Sequence, residues 1–384
     1  MSAPHHLPAP PPAIRLPGAA RAAALLALLG GGGALGWAFG TGRLAEAWSA
    51  YLVGAFFALG LAAFGVIWLS ILTLSRGVWG VTMRRIPEAM TAFLLPGGAA
   101  ALAAGAGAHT LYHWSHAEAV AADPILHHKA PFLNLPLFWA MVGGSVLLWA
   151  LFAFLMVRNS RRQDRAGGLG PTRANAVLSA LFTVVFALTL SVVAFYLLMS
   201  LDAHWFSTMY AVVIFTDVLQ TGLAFQALVV SYLVLRGGIG GFVNANHLHS
   251  LVKMLFATTG FWAYIYFCQF LLIWYANIPE ETVYFIARWE HGWLPWLAAL
   301  PVLKFLVPFV LLVPREAKRR PRWVMAVAAV ILVAQVWELF LLVSPAVGHA
   351  PARAPLLEVA AAAAFLGLFW LVFERSLARH PPVP

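Results

Sequence analysis

Apolar residues gather in ten long runs separated by short polar breaks, at 20–37, 47–74, 89–111, 136–157, 176–200, 208–235, 250–275, 293–313, 323–343 and 355–377. About 20 consecutive apolar residues suffice for a helix to cross the hydrocarbon core of a bilayer. The pattern therefore predicts an all-α, polytopic membrane protein with about ten transmembrane helices. The first run holds Gly30 to Gly33 and is the weakest. The Pro- and Ala-rich stretch before it is long for a signal peptide and no clear A-x-A site follows, so a retained helix is expected. The organisation that follows is a disordered cytoplasmic tail at 1–18 and a single integral membrane domain at 19–384.

Composition agrees. Of the 384 residues 62% are hydrophobic and 10% charged, with a mean hydropathy of +0.83. A soluble domain carries about a quarter charged residues, and a disordered chain carries few apolar ones. Both classes are excluded. Cys268 is the single cysteine, so an intrachain disulfide, a cysteine-ligated iron–sulfur cluster and a C-x-x-C-H haem site are excluded too.

The net charge of +10 does not imply nucleic acid here, because loop bias explains it. Nineteen of the 24 Lys and Arg fall on the chain ends and on alternate loops, with dense groups at Arg158–Arg173 and Arg315–Arg322. Only Arg43, Lys129, Arg288 and Arg353 fall on the opposite side, and Lys304 lies within a span. The positive-inside rule then places both termini in the cytoplasm. The outer loops lean acidic, with Glu118, Asp123, Asp202, Glu280, Glu281 and Glu290.

In the last of these loops, Asn277 reads as an N-cap before Pro279 and the acids of a first helical turn. Trp289, Trp293 and Trp296 follow as interfacial anchors. This segment is either a short interfacial helix that positions span 8 or a docking ridge for an extramembrane partner, with Asn277, Glu280, Glu281 and Arg288 as its polar residues.

None of the thirteen histidines sits at mid-span, which argues against haem b. His109, His113 and His116 have the spacing of one helical face at the outer end of span 3. They read as satisfied interfacial histidines, with a metal site or a quinol-facing role as rivals. Charges inside spans say more, because each is costly in hydrocarbon. Asp217 lies about 15 Å into span 6 at 1.5 Å per residue, followed by Gln220 and Thr221 on the same stripe. Lys304 lies as deep in span 8. Pro301 and Pro308 free the carbonyls of Leu297 and Lys304, so span 8 is expected to kink around its lysine. Gln335 and Glu338 share an outer face of span 9, Glu358 opens span 10 on that side, and Glu88 enters span 3 from the inner side. Ordered by depth, these groups form a ladder able to carry protons, or else an Asp217–Lys304 salt bridge and a few structural acids. Gly237 to Gly241 lacks a following Lys-Ser/Thr and reads as a flexible linker.

Three segments carry a resemblance. They are Arg85 to Met90 with Leu95-Pro96; Leu111 to Trp114 with Asp123 to Leu126 and Lys129 to Asn134; and Ile273 to Thr282 with Arg288 and Gly292-Trp293. Together they resemble the F subunit of alternative complex III, a bacterial quinol:cytochrome c oxidoreductase whose membrane subunits are of the NrfD type. The resemblance implies two four-helix bundles, 47–200 and 208–343, flanked by 20–37 and 355–377. It implies a cofactor-free chain in the bacterial inner membrane, in contact with lipid and with quinone or quinol as a candidate ligand. Haem c and iron–sulfur clusters would then sit in partner subunits: a multihaem cytochrome c, an iron–sulfur subunit and a paralogous NrfD-like C subunit. His113 and Lys129 are the quinone-facing candidates. A stand-alone proton-coupled transporter and a purely structural anchor are the rival classes.

The orientation is testable. Green fluorescent protein fused after Gly167 or Lys318 should fluoresce, and alkaline phosphatase fused after His128 or Glu290 should be active. The reverse pattern would invert the topology.

Overall fold

The computed structural model describes residues 17–239, 241–348 and 355–379. Most of the expected tail lies outside them, as do His5, His6, His349, Arg353 and His380. Among the described residues ten helices are long and apolar enough to cross a membrane: span 1 (Gly18–Gly40), span 2 (Leu44–Leu74), span 3 (Arg85–Leu111), span 4 (Leu135–Ala166), span 5 (Gly170–Leu201), span 6 (Tyr210–Leu235), span 7 (Ala245–Ala276), span 8 (Leu294–Leu312), span 9 (Pro321–Val343) and span 10 (Leu356–Leu377). No strand occurs among the described residues. A chain in lipid must satisfy every backbone N–H and C=O internally, and helices do this within one segment.

The main departures from the apolar pattern are extensions. Span 4 runs to Ala166, past the expected end at 157, and span 7 starts at Ala245 instead of 250. Arginine and lysine stems can lie along apolar surface while their charged ends reach water, so a helix continues beyond the last apolar residue. Span 7 also begins where Asn244 accepts from the backbone of Asn246 and His247 while the His247 ring bonds back to Asn244 N. The preceding glycine loop is not a free linker, since Ile239 is buried at 2% exposure.

Span 2 is apolar all round and buried along almost its whole length. A helix of that kind belongs in the centre. It packs against spans 3 and 5 on one side, 6 and 9 on another, and 10 and 1 on a third. Spans 2, 3, 4 and 5 touch in a closed ring, and so do spans 6, 7, 8 and 9. Spans 1 and 10 pair with each other along the flank.

Small residues set the closest approaches, as they do wherever helices pack without a hydrophobic driving force. A Cβ placed on Gly222 of span 6 would fall 1.9 Å from the Phe64 ring of span 2. One placed on Gly31 of span 1 would fall 2.0 Å from the Ala360 carbonyl of span 10. Its neighbour Gly30 faces open space.

That contrast gives a paired test. Gly31→Ala should lower thermal stability in detergent, by about 1–3 kcal/mol if the helices cannot separate. Gly30→Ala should be neutral or slightly stabilising, because alanine is the better helix former. Equal melting temperatures for the two variants would show that the span 1–span 10 contact is not tight.

Candidate functional site

Lys304 has no solvent exposure. Its ammonium is held by three acceptors from two other helices. It donates to Asp217 Oδ1 of span 6 at 2.6 Å, to Gln335 Oε1 of span 9 at 2.6 Å, and to Glu338 Oε2, also of span 9. The Trp262 ring of span 7 lies under it, 4.8 Å from the nitrogen to the ring centroid.

A second layer fixes the acceptors. Thr221 Oγ1 donates to Gln335 Oε1 at 2.8 Å, and Trp262 Nε1 donates to Glu338 Oε1 at 3.2 Å. Gln220 Nε2 donates to Thr259 Oγ1 at 3.2 Å and to the Lys304 carbonyl at 3.0 Å. Every helix of the second ring contributes.

Local sequence explains how the lysine gets there. Residues Val302–Leu306 form a π turn between Pro301 and Pro308. Prolines and π turns are each recognised sources of a helix kink, and span 8 has both around its lysine. The carbonyl that Pro308 deprives of its helical partner is the one Gln220 satisfies.

The depth ladder changes at this point. Glu338 is not a separate outer rung but a direct partner of Lys304. Helical side chains tilt toward their own N-terminus. With the positive-inside orientation, span 8 tilts its lysine toward the outer face and span 9 tilts its glutamate toward the inner one, so the two meet. Glu88 belongs to another network at the opposite end of the first ring. There it pairs with Arg84 at 3.0 Å and Arg85 at 2.5 Å, while Arg85 also pairs with Asp164 and donates to Ser160 at 3.3 Å. Glu358 is buried at the N-terminal end of span 10, where its neighbour Leu357 shares an apolar cluster with Leu35 of span 1 and Ala47 of span 2.

A cavity of 350 Å³ reaches Glu338 from the end of the ring covered by the short helix Pro279–Glu290. Tyr210, Tyr266, Gln269 and Tyr284 line it. Span 7 supplies Thr259, Trp262, Tyr266 and Gln269, none of them singled out from the sequence. Their spacing of three, seven and ten residues is a polar stripe that helical periodicity could have found.

In the segment between spans 7 and 8 several expectations need correction. Asn277 is not an N-cap. It closes span 7 as a left-handed C-cap with φ 49°, and Ile278 precedes the helix that Pro279 starts. Asparagine tolerates that conformation better than most residues. Arg288, expected on an exposed docking ridge, is instead 4% exposed, lies 3.4 Å over the Tyr284 ring and donates to the Tyr284 carbonyl at 2.9 Å. Trp205 stacks on the Tyr284 ring at 4.0 Å and bonds the Glu281 carbonyl at 3.1 Å, clamping the short helix down. Asn277 and Glu280 remain exposed, and Glu281 is half-buried. Trp293 is a core residue at 2% exposure, packed with Phe340, and not an interfacial anchor.

The histidine face also fails, because the helix of span 3 stops at Leu111. A turn still brings His116 Nε2 within 2.7 Å of the His109 carbonyl. Exposed His113 sits 6.4 Å, ring to ring, from both His116 and His204. His204 Nε2 lies 2.5 Å from Asp123 Oδ2, and that hydrogen bond, with those from the Ile125 and Leu126 amides, holds the Asp123 carboxyl below its usual pKa. Lys129 is spent on the Ala203 carbonyl at 2.7 Å, and burial pushes its pKa down. Among the described residues no cluster of His, Cys, Asp or Glu is arranged to hold a metal ion.

No protein-family model matches this chain, and no curated protein matches it. The shown identity is a polytopic helical membrane protein with a buried charge cluster.

The cluster makes an ordered prediction about stability. Lys304→Met leaves two buried carboxylates facing each other without their counter-charge and should destabilise by about 3–5 kcal/mol. Asp217→Asn and Glu338→Gln, which keep a hydrogen-bonding oxygen, should each cost less. Thermal unfolding of the three variants in one detergent checks the order, and a Lys304→Met protein as stable as the parent would refute it.

Proposed function

We propose that this chain is an integral membrane subunit of a quinol-oxidising electron-transfer complex of the quinol:cytochrome c type, and that it conducts protons through its second helix ring. The observation that carries the proton role is the cluster at Lys304. One ammonium and two carboxylates are charge-neutral only when they hold one extra proton, which is the property a relay needs. Glu338 touches both Lys304 and the cavity, so a proton held there has a way toward the outer face. Asp217, which meets the same ammonium, takes the complementary place. Thr221, Gln220 and Gln335 hold the geometry so that a small movement of span 8, already weakened by its π turn, shifts the proton between carboxylates.

The membership of a redox complex rests on the three resembling segments. In that reading the haem c and iron–sulfur centres belong to partner subunits, the chain lies in a bacterial inner membrane with both termini cytoplasmic, and the exposed outer residues around Asn277 and Glu280 face a partner. His113 and Lys129 are poor choices for quinone contact, since the lysine is already engaged and the histidine lies on the exposed outer surface.

Purification in mild detergent and reconstitution test both parts. The chain should bring c-type haem absorbance with it; migration as a haem-free oligomer would favour a transporter. In liposomes Asp217→Asn should leave quinol affinity near that of the parent and slow turnover or proton release by about 100-fold, the lower end of what one positioned acid–base group contributes. Unaltered turnover and proton stoichiometry would end the relay proposal.

A further inference from the structure

The last two turns of span 4 carry Arg158, Arg161, Arg162 and Arg165, spaced by three, four and seven residues and so grouped on one face. All four line a cavity of 570 Å³, together with Leu94 and Leu95 of span 3 and Phe154 one turn before Arg158 on span 4. Leu95 is 56% and Phe154 62% exposed, so the apolar wall runs out onto the face that meets the bilayer.

The carboxylates nearby are already taken. Glu88 lines the cavity but pairs with Arg84 and Arg85, and Asp164 pairs with Arg85. Among the described residues no carboxylate forms an ion pair with any of the four arginines, and the buried Nε of Arg161 has no hydrogen-bond partner. A buried guanidinium N–H without an acceptor is costly, and a phosphate oxygen is its best geometric match.

We propose that this cavity binds the headgroup of an anionic phospholipid, with phosphate oxygens on the arginines and acyl chains along Leu95 and Phe154. Basic pockets between transmembrane helices recognise such headgroups. Arg158 to Arg165 covers about 10 Å of helix axis, more than one phosphate needs, so a lipid with two phosphates fits best. The continuous apolar wall distinguishes a lipid from a free anion, which would have no use for it.

Native mass spectrometry of the delipidated protein, with any partners retained, tests this using added cardiolipin, phosphatidylglycerol or phosphatidylcholine. Cardiolipin should bind at least about tenfold more tightly than phosphatidylcholine, and Arg161→Gln with Arg165→Gln should remove most of that preference. Equal binding of cardiolipin and phosphatidylcholine, or undiminished cardiolipin binding with all four arginines changed to glutamine, would overturn the proposal. Displacement of cardiolipin by millimolar inorganic phosphate would assign the cavity to a free anion and also overturn it. If the variants do not fold, a photoactivatable phosphatidylglycerol on the unaltered protein decides. Cross-links within 150–165 support the site, and cross-links confined to other segments refute it.

Discussion

A lysine ammonium with no solvent exposure, among helices 19 or more residues long, imposes the strictest condition on this fold. An unpaired charge in a low-dielectric core is not tolerated, so Lys304 must find acceptors, and they come from helices distant in sequence. Asp217 lies 87 positions before it, and Gln335 and Glu338 lie 31 and 34 after it. Meeting that condition fixes the depth of span 8 and the rotation of spans 6 and 9. The proline-flanked π turn belongs to the same arrangement, because its freed carbonyl is taken by Gln220 while its side chain serves the cluster.

The two rings solve different problems. Around span 2 the contacts are apolar and close, with Gly222, Gly54 and Gly65 admitting a neighbouring ring or backbone that no side chain would allow. Polar groups there gather at one end, where Arg84, Arg85, Glu88 and Asp164 satisfy one another. In the second ring polar groups occupy mid-membrane instead, backed by Trp262 and capped by the Trp205–Tyr284–Arg288 clamp. Placing charge at mid-membrane in the second ring concentrates the chemistry where a cavity reaches it.

The arginines near span 4 divide in the same way. Arg85 is buried and engaged with carboxylates, whereas Arg158 to Arg165 stand in a cavity with none to meet them. Loop bias accounts for the number of these charges but not for their alignment on one helical face beside an apolar wall.

The sequence by itself determined the ten spans, because hydrocarbon thickness fixes the length of an apolar run and helices alone satisfy its backbone. It also determined which residues would be expensive in the bilayer, Asp217, Lys304 and Glu338 among them, and that prolines would disturb span 8. Tertiary structure decided who meets whom. Depth along a helix is readable from residue count, but rotation about the axis and the lean of a side chain toward its N-terminus depend on neighbours. So Glu338 met Lys304 instead of standing apart, Glu88 went to a different network, and Arg288 and Trp293 turned inward from loops that looked exposed. Asn277 closed a helix instead of opening one, because a cap residue serves whichever end the backbone reaches in a left-handed turn. Cavities lie furthest from the sequence: each exists only where faces of several helices fail to fill the space between them.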